Sequence, residues 1–182
     1  CNLCEVNVSD IVSQEDLNER ARAAAFFGTL QAGFTNFHYL REEWKNTTEE
    51  DALIGVGMTG IASGKVLKYD LRETAEEVKQ MNLEVSARLN IQFAARCTTI
   101  KPSGTTSLVL GTSSGIHAWH NDYYLRRVRI GKNEALYDYL HAEHPELIED
   151  DLLNSKQAII RIPQHAPDGS ILRNEDVMDL LE

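Results

Sequence analysis

The chain has 182 residues, a formal net charge of −10, and 42% hydrophobic and 25% charged residues. That length and composition support a folded domain with a real core and argue against disorder. The acidic balance disfavours a general grip on DNA or RNA, which needs concentrated positive charge, but a nucleotide pocket needs only a few local donors. No run approaches the roughly 18 apolar residues of a membrane span, and Cys1-Asn2-Leu3-Cys4-Glu5 has neither a basic region nor an apolar signal core. The three cysteines, Cys1, Cys4 and Cys97, do not suggest a disulfide scaffold. A cytoplasmic protein with no membrane and no nucleic-acid partner is the expectation.

In chain order, the residues from Cys4 to Val8 have short-strand character. Ser13, with Asp16 three residues on, resembles a helix cap and predicts a helix running to about Trp44. Its middle, residues 23–30, is apolar on all sides, which predicts burial between other elements. Leu53 to Gly60 reads as a buried strand entering a Gly-rich turn. Asp70 caps a long amphipathic helix to about Phe93. Cys97 to Lys101 reads as another strand, ending in a turn at Pro102-Ser103-Gly104-Thr105-Thr106 that opens a short helix. A second turn, Gly111-Thr112-Ser113-Ser114-Gly115, follows. Strand character returns at residues 123–130, helical character at 134–141, and a last strand at 158–162. Alternating helices and strands predict an α/β fold with parallel strands, and 1–182 reads as one domain or part of one.

Lys101 to Ser107 is the most informative segment. A strand ending in a small-residue turn that feeds a helix exposes backbone N–H groups at the positive end of the helix dipole. Gly104 permits close backbone approach, and Ser103, Thr105 and Thr106 offer hydroxyls, so Pro102 to Thr106 is a candidate phosphate seat. The plain alternative is an ordinary helix start capped by Ser103. Residues 60–66 superficially suggest a P-loop but fail its spacing, because Thr59 stands where the first glycine belongs and Val66 where Ser or Thr must follow the lysine. Cys1 and Cys4 form a C-x-x-C, and His117 and His120 would complete a zinc set, but hydrogen-bonded turn histidines account for the pair and no metal is predicted. Strand alternation puts Arg127 and Arg129 on one face and Arg126 on the other. Two of the three read as salt-bridge residues, and one as a holder of an anionic ligand.

Five pieces, in this order and spacing, resemble the adenosylcobalamin-dependent (class II) ribonucleotide reductases. They are Cys1-Asn2-Leu3 with Glu5-Val6; residues 54–61; residues 98–105; Gly111 with Ser114-Gly115-Ile116-His117; and residues 124–129. The resemblance runs from Cys1 to about Pro163. It implies part of a ten-stranded α/β barrel, this chain supplying roughly the second half, with the N-terminal part and a C-terminal tail missing. It implies conversion of ribonucleoside di- or triphosphates to 2′-deoxyribonucleotides by thiyl-radical chemistry, with adenosylcobalamin as cofactor and a dithiol, delivered by a thioredoxin-like protein, as reductant.

The family's radical cysteine sits in an Asn-x-Cys-x-Glu motif. Asn2-Leu3-Cys4 begins it, but position 6 is Val6 and the acid comes one residue early at Glu5. The better register puts Cys1 on a redox-active cysteine, with the radical cysteine upstream of this chain and Cys4 without a role. On this reading Pro102, Ser103, Gly104, Thr105 and Thr106 are the substrate-phosphate loop, and the isolated chain is inactive. Both ends read as cut, and an initial cysteine is what protein splicing leaves. The alternative from another class is a non-catalytic nucleotide- or phosphate-binding module that keeps the half-barrel.

Overall fold

A computed structural model describes residues 2–173 and 178. The chain divides into two compact units, residues 1–118 with 169–171, and residues 119–168 with 172–182.

In the first unit, β1 (Asn2–Asn7) and β2 (Ile54–Thr59) pair in parallel, with Cys4 opposite Val56 and Glu5 opposite Gly57. A parallel pair needs a long crossover, and here it contains α1 (Gln14–Ala32) and α2 (Glu42–Asp51). Val56 bridges Thr98 in parallel, so the predicted strand at 97–101 survives only as an isolated bridge beside β2. The long helix α3 (Leu71–Leu89) packs against α1. Val6, Val8, Leu17, Ala21, Ile54, Val56 and Val78 form the core between strands and helices.

The helix starts are as the sequence predicts. Ser13 accepts from Asp16 N, and Asp70 accepts from Arg72 N and Glu73 N. The first helix, however, does not reach Trp44. It stops at Ala32, and α2 is a separate helix that begins at Glu42. The apolar stretch 23–30 is not buried all round either. Ala25 is buried, but Phe26, Phe27 and Leu30 are exposed. Only the stripe that meets the sheet is covered, because a single sheet face and α3 contact this helix. Gly28 lies on that stripe and lets α1 approach closely: a Cβ there would stand 3.3 Å from Cys4 Sγ and 3.5 Å from Ile54 Cβ.

Buried polar bonds join the two long helices. Asn82 Nδ2 donates to Thr29 Oγ1 at 2.9 Å, and Asn82 Oδ1 accepts from Ala94 N at 2.9 Å. Thr74 Oγ1 donates to Asn18 Oδ1 at 2.8 Å. Each satisfies a group that would be costly to bury alone.

The second unit is a three-stranded sheet in the order β3 (Tyr123–Gly131), β5 (Gln157–His165), β4 (Ile148–Asp150). Both pairings are antiparallel, so the expectation of parallel strands holds for the first unit and not for this one. A short return at 151–156 joins β4 to β5, whereas α5 and β4 lie between β3 and β5 in the chain. Helix α5 (Ala135–Glu143) lies over Ile130, Ala158 and Ile160 through Tyr137 and Leu140.

Candidate functional site

Alternation divides the first unit's strands between two faces. Cys4, Val6, Ile54 and Val56 pack toward the helices. Glu5, Gly57 and Thr59 occupy the alternate positions. Thr59, at the end of β2, is fully buried, and its hydroxyl gathers three chain segments. Thr59 Oγ1 donates to the Ser113 carbonyl at 3.0 Å, and accepts from Ser103 Oγ at 2.5 Å and from Gly115 N at 3.1 Å. Ser103 Oγ accepts from Gly115 N at 2.9 Å. The Gly60 N–H donates to the Ser113 carbonyl at 3.0 Å.

This network fixes the turn at 102–106. The short helix α4 (Thr105–Val109) starts there, with Gly104 at φ 53° and ψ −121°. No side chain caps it, so Ser103 is not the cap; its hydroxyl turns inward to Thr59. The N–H groups of Ser103 and Gly104 converge on one atom, Ser114 Oγ, at 2.9 and 3.1 Å. Ser114 Oγ is a double acceptor whose own O–H proton remains available to donate. Pro102, Gly104, Thr105 and Thr106 are exposed, and the Thr105 N–H has no partner among the described residues. A Cβ on Gly115 would collide with the Lys101 carbonyl oxygen, and its φ of 55° is in the left-handed region. Glycine at 115 is thus what allows the two turns to pack together.

Lys101, one residue before the turn, forms an ion pair with Glu5 of β1. The Glu5 side chain is 8% exposed, and its second carboxylate oxygen is buried without a hydrogen-bond partner. Burying a carboxylate beside an ammonium is tolerable because the pair is neutral.

Of the residues singled out from sequence, Ser103 to Thr106 come together with the second turn, which supplies Ser114 and Gly115. Cys1 lies outside the described residues. Thr59 and Ser114 were assigned no role by sequence reasoning. The signal available for Ser114 was the Gly-Thr-Ser-Ser-Gly turn itself; nothing local marked Thr59. Cys4 and Cys97 are free, and burial raises the thiol pKa of both, partly offset at Cys97 by Lys79. Among the described residues, no three His, Cys, Asp or Glu side chains are gathered to hold a metal, and no helix is long and apolar enough to cross a membrane. Cavities in the first unit measure about 410 and 450 Å³. The first, between β2, α1 and α3, is apolar, lined by Val6, Leu17, Val56 and Val78 among others.

Comparison with known proteins gives a consistent result. No family model matches the chain. It is 28% identical over 179 residues to a probable adenosylcobalamin-dependent ribonucleoside-triphosphate reductase of Dictyostelium discoideum, covering 93% of this chain and 23% of that protein. It is 32% identical over 106 residues to an adenosylcobalamin-dependent ribonucleoside-triphosphate reductase of Euglena gracilis, covering 53% of this chain and 14% of that protein. A crystal structure of a B12-dependent (class II) ribonucleotide reductase superposes with a TM-score of 0.74 at 22% identity, over 91% of this chain and 27% of that one. The mixed helix-and-sheet fold is therefore that of a segment of the class II reductase structure, although these residues alone do not make a ten-stranded barrel. The resemblance to the adenosylcobalamin-dependent (class II) ribonucleotide reductases holds in sequence and in fold, over about a quarter of the length of the Dictyostelium relative and of the matching crystal structure.

Proposed function

We propose that this chain is part of a B12-dependent ribonucleotide reductase, an oxidoreductase that converts ribonucleotides to 2′-deoxyribonucleotides, and that it supplies the substrate-phosphate loop and one redox-active thiol. Residues 1–182 are read as one partial domain, the C-terminal part of the reductase barrel, completed by an N-terminal part. The observation that carries this reading is the turn at 102–106: it is held from below by Thr59, and its exposed residues Thr105 and Thr106 keep one N–H and two hydroxyls to offer.

A substrate phosphate would be held by the Thr105 N–H and by the hydroxyls of Thr105 and Thr106. Ser114 contributes a fourth donor. Accepting two backbone N–H bonds polarises its hydroxyl, which strengthens the O–H it offers outward. The triphosphate named for the curated relatives is the favoured substrate class. Cys1 is assigned to the redox step. It and a second cysteine outside this chain together give two electrons and two protons. The C2′–OH bond breaks, a C2′–H bond forms, water leaves, and the thiols become a disulfide that a thioredoxin-like dithiol reduces again. Cys4 is left out of this chemistry, since it packs against Gly28 on the helix side.

The residues of this chain do not by themselves fit the cobalamin cofactor. A corrin with its nucleotide tail overfills cavities of about 410 and 450 Å³, and the former is lined almost wholly by aliphatic side chains. The cofactor seat is accordingly assigned to the completed enzyme, and no step above runs through it.

The test is an assay of the full-length protein with ribonucleoside triphosphate, adenosylcobalamin and a dithiol. Deoxynucleotide should form, and Cys1→Ser should abolish turnover while hydrogen abstraction from C3′ persists. The isolated 182-residue chain should be inactive. Nucleotide binding by the full-length protein without any reduction would favour a non-catalytic phosphate-binding module instead.

A further inference from the structure

The three arginines of β3 differ in their partners. Arg127 forms an ion pair with Glu149, and Arg129 with Asp151 at 2.6 Å. Arg126, opposite Ile162 on the other face of the sheet, has no carboxylate partner among the described residues. Its Nη2 donates to the Tyr124 hydroxyl at 3.3 Å, and its Nε–H is buried with no acceptor.

Tyr124 is the centre of a cluster within the second unit. Its ring centroid is 5.5 Å from that of His120 and 6.4 Å from that of Trp119. Trp119 is 5% exposed, and its indole N–H is buried without a partner. Arg173 also joins the cluster. Its backbone N–H donates to the Trp119 carbonyl at 2.9 Å, and its Nη1 lies 3.3 Å from His120 Nδ1. Arg173 also has no carboxylate partner among the described residues.

Three features point the same way. The unsatisfied atoms of Trp119 and Arg126 are both donors, so the missing partner is an acceptor. Among the described residues of the cluster the charged side chains are the two arginines, in a chain with 28 acidic and 18 basic residues. Carboxylates neutralise the other two arginines of the same strand, and none among the described residues pairs with Arg126. A half-buried guanidinium with a free N–H is costly unless an anion completes it. Arginine's fork geometry also suits a phosphate better than a point charge would.

We propose that Trp119, His120, Tyr124, Arg126 and Arg173 form an oxyanion-binding site for a phosphate-class ligand. The donors of Trp119 and Arg126 supply its inner contacts, and Arg173 supplies charge at its open side. The shared chemistry is that of nucleotide phosphates and free polyphosphate. The site does not depend on the reductase reading, because none of its residues belongs to the turn at 102–106.

Trp119 reports on its own occupancy. The chain has two tryptophans, and Trp44 is exposed on α2, so Trp44→Phe leaves Trp119 as the sole emitter. Titrate the 182-residue W44F chain with tripolyphosphate and with ATP, following tryptophan emission. Both should give a saturable change. Arg126→Gln should weaken binding about tenfold, in line with loss of a charged hydrogen bond, while Arg127→Gln should change it by less than about twofold. Arg173→Gln, at an exposed position, should weaken binding about threefold and serves if Arg126→Gln does not fold. ATP binding well above tripolyphosphate assigns the ligand as a nucleotide; equal affinities assign the phosphate chain alone. No saturable response to either probe would overturn the proposal. So would a loss in Arg127→Gln as large as in Arg126→Gln, which means diffuse charge rather than a site.

Discussion

At the scale of single residues, the candidate loop depends on two hydroxyls with different duties. Thr59 Oγ1 is buried and makes three hydrogen bonds, so Thr59→Val keeps the shape but strands the Ser103 O–H, while the Gly115 N–H keeps its bond to Ser103 Oγ. The expected cost is about 1–3 kcal/mol of stability by urea unfolding, and Thr59→Ser should recover most of it. Ser114 is the proposed donor to the substrate phosphate. Ser114→Ala in the full-length enzyme should raise KM for the triphosphate about tenfold with kcat little changed, which steady-state kinetics would read directly. Equal loss in kcat and kcat/KM would instead mean that Ser114 acts only in the transition state. Gly104→Val acts through the backbone. Nothing lies within 4 Å of a Cβ there, but at φ 53° and ψ −121° a β-branched residue is strained, so the turn reshapes and substrate binding weakens while α1 and α3 stay folded. Cys4 and Cys97 carry raised thiol pKa values, so less thiolate is present at a given pH. Both should alkylate more slowly at pH 8 than a small free thiol, and mass spectrometry after timed iodoacetamide labelling checks this.

At the scale of elements, α1 and α3 are held together by buried amide and hydroxyl bonds as much as by apolar contact. Asn82 is 2% exposed; its amide donates to Thr29 Oγ1 and accepts from the Ala94 N–H. Asn82→Leu is expected to destabilise the chain by about 2–3 kcal/mol, since it leaves a buried Thr29 hydroxyl and the Ala94 N–H without their partner. A change below about 0.5 kcal/mol in urea unfolding would show that water replaces the amide. Helix starts at Ser13 and Asp70, and the strands of β2, β3 and β5, were legible because capping and alternation are local patterns. The break of the first helix before Glu42 was not. The helix ends at its Gly33 C-cap, and residues 33–39 are poor helix formers, so the chain leaves the helix where packing against the sheet stops.

At the scale of the whole molecule, a net charge of −10 is tempered by ion pairs whose acids titrate low. Arg20 and a backbone bond from Val12 hold Asp16 below the ordinary aspartate range. Lys132 does the same for Asp150, and the Leu153 N–H with Arg129 for Asp151. Groups with depressed folded-state pKa values stabilise above their unfolded pKa and lose that contribution as pH falls through the folded value. Stability should therefore be flat from about pH 7 to 5 and decline below about pH 4, with proton uptake on unfolding there. Thermal unfolding across that range, at low and high salt, checks it; salt should shrink the Asp150 share most, because that carboxylate is exposed while Asp151 is buried.

The sequence by itself determined the helix caps, the principal strands, the split of the β3 arginines between two faces, and the order of small-residue turns that carries the reductase likeness. All of these are written in spacing over a few residues. Only the tertiary structure decided what those turns do to one another. Thr59, Ser103 and Ser114 are far apart in sequence, and hydrogen bonds between them depend on the parallel pairing of β1 with β2 and on glycine at 115. For the same reason Arg126 stood out only once Arg127 and Arg129 had found their carboxylates across the sheet. Pairing between distant segments leaves no periodic trace along the chain, and a hydroxyl's direction is set by the backbone that carries it, not by its neighbours in sequence.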